Sequence, residues 1–223
     1  MDWQALSVTL RLAAITTAVL LVLGTLLAFW IVTTRSRLRA VVQAITTLPI
    51  LLPPTVLGFY LLVFLGPRTW LGRAWIHFTG HPLAFTFTGL VIGSIIYSLP
   101  FAVQPIVAGF SSVEMSLLEQ ASVLGASRLR MFRSVLVPLS LRSIGAAALL
   151  CFTHTVGEFG VVLMVGGDIP GATRTLSIAI YDQVQDFAYT AANHTALLLV
   201  LISITSLIIL YAWRGAYAGA AHE

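Results

Sequence analysis

Long apolar runs alternate with short polar segments along this chain. The segment 12–34 carries no charge, and four further runs of similar character follow at about 40–65, 83–110, 141–165 and 195–213. A helix rising about 1.5 Å per residue needs roughly 20 apolar residues to cross a hydrocarbon layer of about 30 Å. With the first run taken as 6–33, the pattern predicts five membrane-crossing helices. Met1-Asp2-Trp3-Gln4 has no basic start and no small-residue cleavage site follows, so the first run is expected to stay as a span.

Composition narrows the class. Of 223 residues, 58% are apolar and 9% charged, against about a quarter charged in soluble domains. A soluble enzyme and a nucleic-acid-binding domain are thereby excluded, leaving an all-α polytopic membrane helix bundle. All 12 basic side chains are Arg. Without Lys there is no standard P-loop and no Schiff base. Cys151 has no second Cys to bridge, and it reads as a small buried apolar residue. His77 and His81 lack a third ligand, so no metal site is expected. Arg35, Arg37, Arg39, Arg128, Arg130, Arg133, Arg142 and Arg214 fall on one side of a five-span arrangement, and Arg11, Arg68, Arg73 and Arg174 on the other. The excess marks the cytoplasm, which puts the N-terminus outside and the C-terminus inside.

Two runs carry irregularities. Pro49, Pro53 and Pro54 interrupt the second, where each removes a backbone donor and crowds the preceding turn. Such a break either lines a translocation path or is a packing kink. The fourth run holds Glu158, flanked by Gly157 and Gly160, with His154 one turn earlier on the same helical face. An acid inside a span is expected to face the bundle interior beside a partner, and His154 is a plausible one. Thr153 and Thr155 offer uncharged hydroxyls, either to an oxyanion or to their own helix carbonyls. No catalytic constellation accompanies them. Arg174 either meets an anion at the outer mouth or anchors its loop. Asp182 and Asp186 are a turn apart, either pairing with a basic partner or simply solvated.

The loop 111–138 is long for so apolar a chain. Leu117, Leu118, Ala121 and Leu124 recur at helical spacing around Glu119, and Gly125 is placed to end the helix or admit another backbone. Two readings follow from the residues alone: a docking helix, or a helix resting on lipid headgroups.

Here the chain resembles the permeases of ABC importers. Their loop pattern is Glu-Ala-Ala, three residues, Gly, nine residues, Ile, one residue, Leu-Pro. This sequence has Glu119-Gln120-Ala121, then Gly125, then Val135, Val137 and Pro138 at the same spacing. Gln120, Val135 and Val137 are its departures. Pro49 and Pro53-Pro54-Thr55-Val56-Leu57-Gly58, with Gly157-Glu158-Phe159-Gly160 and Ile169-Pro170-Gly171-Ala172-Thr173-Arg174-Thr175, resemble the molybdate permeases in particular. Sulfate permeases share the Gly-Glu-Phe-Gly segment, and tungstate permeases are close cousins.

The resemblance covers about residues 6–214 and implies a single transmembrane domain, 1–223, of the type I permease fold. It further implies a coupling loop in which Glu119, Gln120, Ala121, Gly125, Ala126, Arg128 and Pro138 meet a separate ATPase. The chain itself would bind no cofactor, ATP and Mg residing on that partner. The expected assembly is a homodimer with two ATP-binding subunits and an extracytoplasmic molybdate-binding protein, in the cell membrane. Pro49, Pro53, Pro54, Thr153, His154, Gly157, Glu158 and Gly160 are the candidates for path or gate. Energetics agree with an ATP-driven machine, since drawing a dianion into a negative interior costs about 4.6 kcal/mol per 100 mV. A secondary transporter using His154 and Glu158 as a proton relay is the rival.

Overall fold

A computed structural model describes residues 2–219. Helix α1 (Trp3–Thr33) begins where the Asp2 carboxylate accepts the Ala5 N–H at 2.9 Å, an N-cap satisfying one orphan donor. Its 31 residues extend for about 46 Å, more than enough to cross. Helices α5 (Phe87–Ser111) and α12 (Tyr189–Gly219) are the other two uninterrupted candidates for spans. Thr86 caps α5 through the Gly89 N–H at 3.2 Å.

The second predicted run is two helices, α2 (Leu38–Leu51) and α3 (Pro54–Phe64), bent by 113°. The cause is local. A residue before proline is driven out of the helical region, and Leu52 and Pro53 both precede one. Leu52 is extended (ψ 139°) and so is Pro53 (ψ 135°), so the chain leaves the helix for two residues. Pro49 stays inside α2, buried, without ending it. Pro54 opens α3 at a position where a missing N–H costs nothing.

A short helix, α4 (Trp70–Thr79), fills the loop before α5. After α5 the loop folds into α6 (Met115–Val123) and α7 (Arg128–Met131), a π-helical turn (Phe132–Leu136) and α8 (Val137–Leu139). The stretch Arg128–Leu139 meets α9 (Leu141–Gly157) at 73°. With each bent pair taken as one crossing, the spans number up to five among the described residues.

The fourth run departs from expectation. Helix α9 ends at Gly157, Glu158 is extended (φ −66°, ψ 133°), and α10 (Gly160–Gly166) starts anew. Glu158 is therefore at a chain break, not within a continuous helix to Val165. Glycines on both sides weaken helical continuation there. Helix α11 (Leu176–Gln185) then leads to α12.

Helices α1, α5 and α9 form the core. Leu20, Ala102 and Cys151, one from each, are fully buried together, and a second cluster joins Ala28, Ile106, Phe110 and Ala147. Gly24 allows the closest approach: a Cβ there would lie 3.0 Å from that of Ala102. Small residues at such crossings let membrane helices pack backbone to backbone. Helix α3 packs on α10, which brings the two chain breaks side by side.

Candidate functional site

The face of α5 that meets α9 carries Ser94, Tyr97, Ser98 and Phe101, a spacing that aligns side chains on one helical stripe. The Ser94 hydroxyl donates to Glu158 Oε2 at 2.8 Å. One turn on, Ser98 Oγ is 3.0 Å from His154 Nδ1 and 3.1 Å from Thr155 Oγ1. The four-residue spacing of the serines matches that of His154 and Glu158, and each serine takes one of them. The pairing of His154 with Glu158 expected from sequence is replaced by these two contacts to α5. The His154 ring stacks on Phe101 with centroids 4.0 Å apart and packs against Tyr97 at 4.8 Å.

Glu158 is 4% exposed, and its Oε1 has no partner among the described residues. Its backbone carbonyl accepts from the Ser177 hydroxyl of α11, which fixes the break. Beside the carboxyl lies a cleft of about 530 Å³ lined by Pro54, Tyr97, Thr153, His154 and Glu158, with Gly157 and Gly160 at its wall. A Cβ at Gly160 would lie 2.6 Å from Pro54 Cβ, whereas one at Gly157 would meet nothing within 4 Å. Gly160 is thus the packing glycine, and Gly157 opens the cleft. Of the path candidates, Pro54, Thr153, His154, Gly157, Glu158 and Gly160 converge here. Pro49 is buried in α2, and Pro53 makes the bend without lining the cleft.

Sequence reasoning missed Ser94, Tyr97, Ser98 and Ser177. The available signal was the pair of hydroxyls at a four-residue interval in an otherwise apolar run. The lining mixes hydroxyls, an imidazole and one carboxyl.

In the loop between α10 and α11, Arg174 Nη2 donates to Asp168 Oδ2 at 2.8 Å and to Asp182 Oδ2 of α11 at 3.0 Å. Its Nε also donates to Asp168, and Nη1 is 4.0 Å from Asp2. These hydrogen bonds hold the Asp168 carboxyl below the usual carboxylate range and push the Arg174 guanidinium above its ordinary value. Of the two readings of Arg174, the geometry matches the anchor: it ties the loop to the start of α1. Asp182 is correspondingly engaged within the chain.

The other end of α1 meets the loop of α6 and α7. Gly125 has φ +77°, its N–H bonds the Ser122 carbonyl at 2.9 Å, and the Ala126 N–H bonds the Ala121 carbonyl at 2.9 Å. This is a Schellman cap, and it requires a left-handed residue after the helix. Ser127 opens α7 by accepting the Arg130 N–H at 3.3 Å. Glu119, Gln120 and Arg128 are exposed, Ala121 and Ala126 are half-buried, and Pro138 sits in α8. Val123 and Leu124 are 87% and 86% exposed, an uncovered apolar tip. The side chain of Arg214 lies outside the described residues.

A multi-pass helical bundle with broken spans around a cleft that holds a carboxyl and an imidazole, and a capped surface helix on the loop between spans, defines a membrane transport component. The chain belongs to the family described as "Binding-protein-dependent transport system inner membrane component", which matches residues 20–218. It is a non-enzymatic permease component of the inner membrane. It is 47% identical over 218 residues to the molybdenum transport system permease protein ModB of Azotobacter vinelandii, covering 98% of this chain and 96% of that one. It is 30% identical over 209 residues to the ModB protein of Escherichia coli (strain K12), covering 93% and 91%. Among solved structures, it resembles a bacterial alginate ABC transporter in complex with an alginate pentasaccharide-bound periplasmic protein. That likeness has a TM-score of 0.73 at 20% identity and covers 93% of this chain and 75% of that one.

Proposed function

We propose that this chain is the membrane-spanning subunit of an ATP-driven importer of molybdate. The observation that carries the substrate is the 47% identity over 98% of the chain to a molybdenum transport permease. Two copies line one path, two ATP-binding subunits dock beneath them, and an extracytoplasmic binding protein delivers the anion. ATP and Mg belong to the ATPase. The whole of 1–223 acts as one transmembrane domain, with its N-terminus outside and its C-terminus in the cytoplasm. The likeness to a transporter caught with its periplasmic protein supports such an assembly.

Coupling runs through α6. Glu119, Gln120, Ala121, Gly125, Ala126, Arg128 and Pro138 shape the element that meets the ATPase, and the exposed Val123 and Leu124 supply apolar docking area. Closure of the ATPases moves this loop and switches the bundle between outward and inward openings. The cleft at Pro54, Thr153, His154, Gly157, Glu158 and Gly160 belongs to the path or its gate. A bare carboxylate repels an oxyanion, so Glu158 acts in gating while hydroxyls such as Thr153 face the solute.

The test is uptake of labelled molybdate into proteoliposomes holding the permease, its ATPase and its binding protein, competed with tungstate and sulfate. Uptake that needs ATP and resists sulfate is expected. Preference for sulfate or tungstate overturns the anion, and uptake driven by a proton gradient without ATP overturns the mechanism.

A further inference from the structure

A cleft of about 460 Å³ separates α6 and α7 from the end of α1. Its inner wall is apolar, formed by Phe29 and Val32 of the last turns of α1 with Leu118 and Leu136 of the loop. Its rim carries Arg35, Arg39 and Arg128, against the single carboxylate of Glu119. All three arginines are exposed, and none has a guanidinium hydrogen bond or ion pair among the described residues. Unpaired guanidiniums above an apolar slot are complementary to an amphiphile with an anionic head.

Position selects the kind of amphiphile. Phe29 and Val32 belong to a membrane span and Arg35 follows its end, so the slot straddles the level where hydrocarbon gives way to headgroups. Helix geometry separates this slot from the docking face. At about 100° per residue, Leu118, Glu119 and Ser122 turn toward the slot, while Leu117 and Gln120 fall on the opposite side of α6. An ATPase seated on that opposite side leaves the slot to another occupant.

We infer that this cleft binds an anionic phospholipid, its phosphate held by Arg35 and Arg39 and an acyl chain laid along Phe29 and Val32. The lipid would fill the space between the coupling loop and the core helix behind it, so that α6 moves with α1. The inference rests on the membrane reading of the chain and not on its substrate, and the test reads lipid rather than transport.

The permease–ATPase complex is reconstituted in bilayers of equal parts phosphatidylcholine and phosphatidylglycerol, extracted in mild detergent, and its retained lipid counted by native mass spectrometry. The wild type is expected to retain phosphatidylglycerol, and the Arg35→Gln, Arg39→Gln double variant to hold it about tenfold more weakly. Arg37→Gln, which alters the same loop away from the slot, is expected to match the wild type and serves as the control for folding and assembly. Equal retention by all three proteins, or a loss as large in Arg37→Gln, overturns the site. Displacement of the lipid by soluble glycerol phosphate at matched concentration identifies a free-anion site instead. Retention by the permease alone that vanishes once the ATPase is added assigns the slot to that subunit. Either of these last two results also overturns the lipid proposal.

Discussion

Ser94 Oγ and Glu158 Oε2 are 2.8 Å apart, and that hydrogen bond ties the middle of α5 to the point where α9 breaks. Among the described residues it is the one side-chain hydrogen bond to a carboxyl that is almost fully buried. Removing one member of a buried polar pair leaves the other's desolvation uncompensated, at about 1–3 kcal/mol.

Ser94→Ala is therefore expected to destabilise the purified permease by that amount, read as a lower thermal midpoint, and to reduce uptake. Ser94→Thr, which keeps the hydroxyl, should recover much of both. Glu158→Gln retains an acceptor for Ser94 and is expected to keep the midpoint while losing transport. A Glu158→Gln protein that transports normally would remove the acid from the gate.

The glycines beside Glu158 separate by position. Gly160→Ala drives a methyl into Pro54, at 2.6 Å, and should destabilise by about 1–3 kcal/mol through overpacking. Gly157→Ala enters open space and should be tolerated, whereas Gly157→Leu should leave the fold intact and obstruct the cleft. Thermal midpoints and uptake rates on the same three proteins check the pattern.

Gly125 tests the coupling loop. At φ +77° a β-branched residue is strained by about 1–2 kcal/mol. Gly125→Val is expected to loosen α6 and abolish uptake while the membrane-inserted protein accumulates at wild-type level. Gly125→Asn tolerates the left-handed conformation and should retain partial activity. Normal uptake by Gly125→Val would contradict a coupling role for this loop.

Arg174 links Asp168, Asp182 and Asp2. These groups are partly solvated, so Arg174→Ala should cost only about 1 kcal/mol. Because the Asp168 carboxyl is held below its ordinary value, the stabilisation is present above the unfolded value of about 3.9. It is lost as pH falls through the lower folded value. Wild type and Arg174→Ala should differ in thermal midpoint at pH 5–7, and the difference should shrink progressively as pH falls below about 4.

Much of this architecture was readable in the sequence, and the exceptions share a cause. Uninterrupted spans α1, α5 and α12 follow from length and apolarity, which act locally. The bend at Leu52–Pro53 follows from two successive residues preceding proline, again a local constraint. Gly125 ending α6 is also local, since only the residue after the helix must be left-handed. The break at Glu158 is less visible, because Gly-Glu-Phe-Gly lowers helix propensity without forbidding a helix. It is fixed from outside by the Ser177 hydroxyl and by α3 packing on α10. Ser94 and Ser98 leave only a weak local mark, two hydroxyls four residues apart, which acquires meaning once tertiary packing sets Glu158 and His154 opposite them.

Coupling through α6 is tested most directly by ATP hydrolysis by the permease and its ATPase in proteoliposomes, with and without molybdate-loaded binding protein. Such coupling predicts stimulation by the loaded binding protein that is lost in Gly125→Val while basal hydrolysis by the ATPase remains. Stimulation that survives in Gly125→Val, or hydrolysis indifferent to the loaded binding protein, would contradict it.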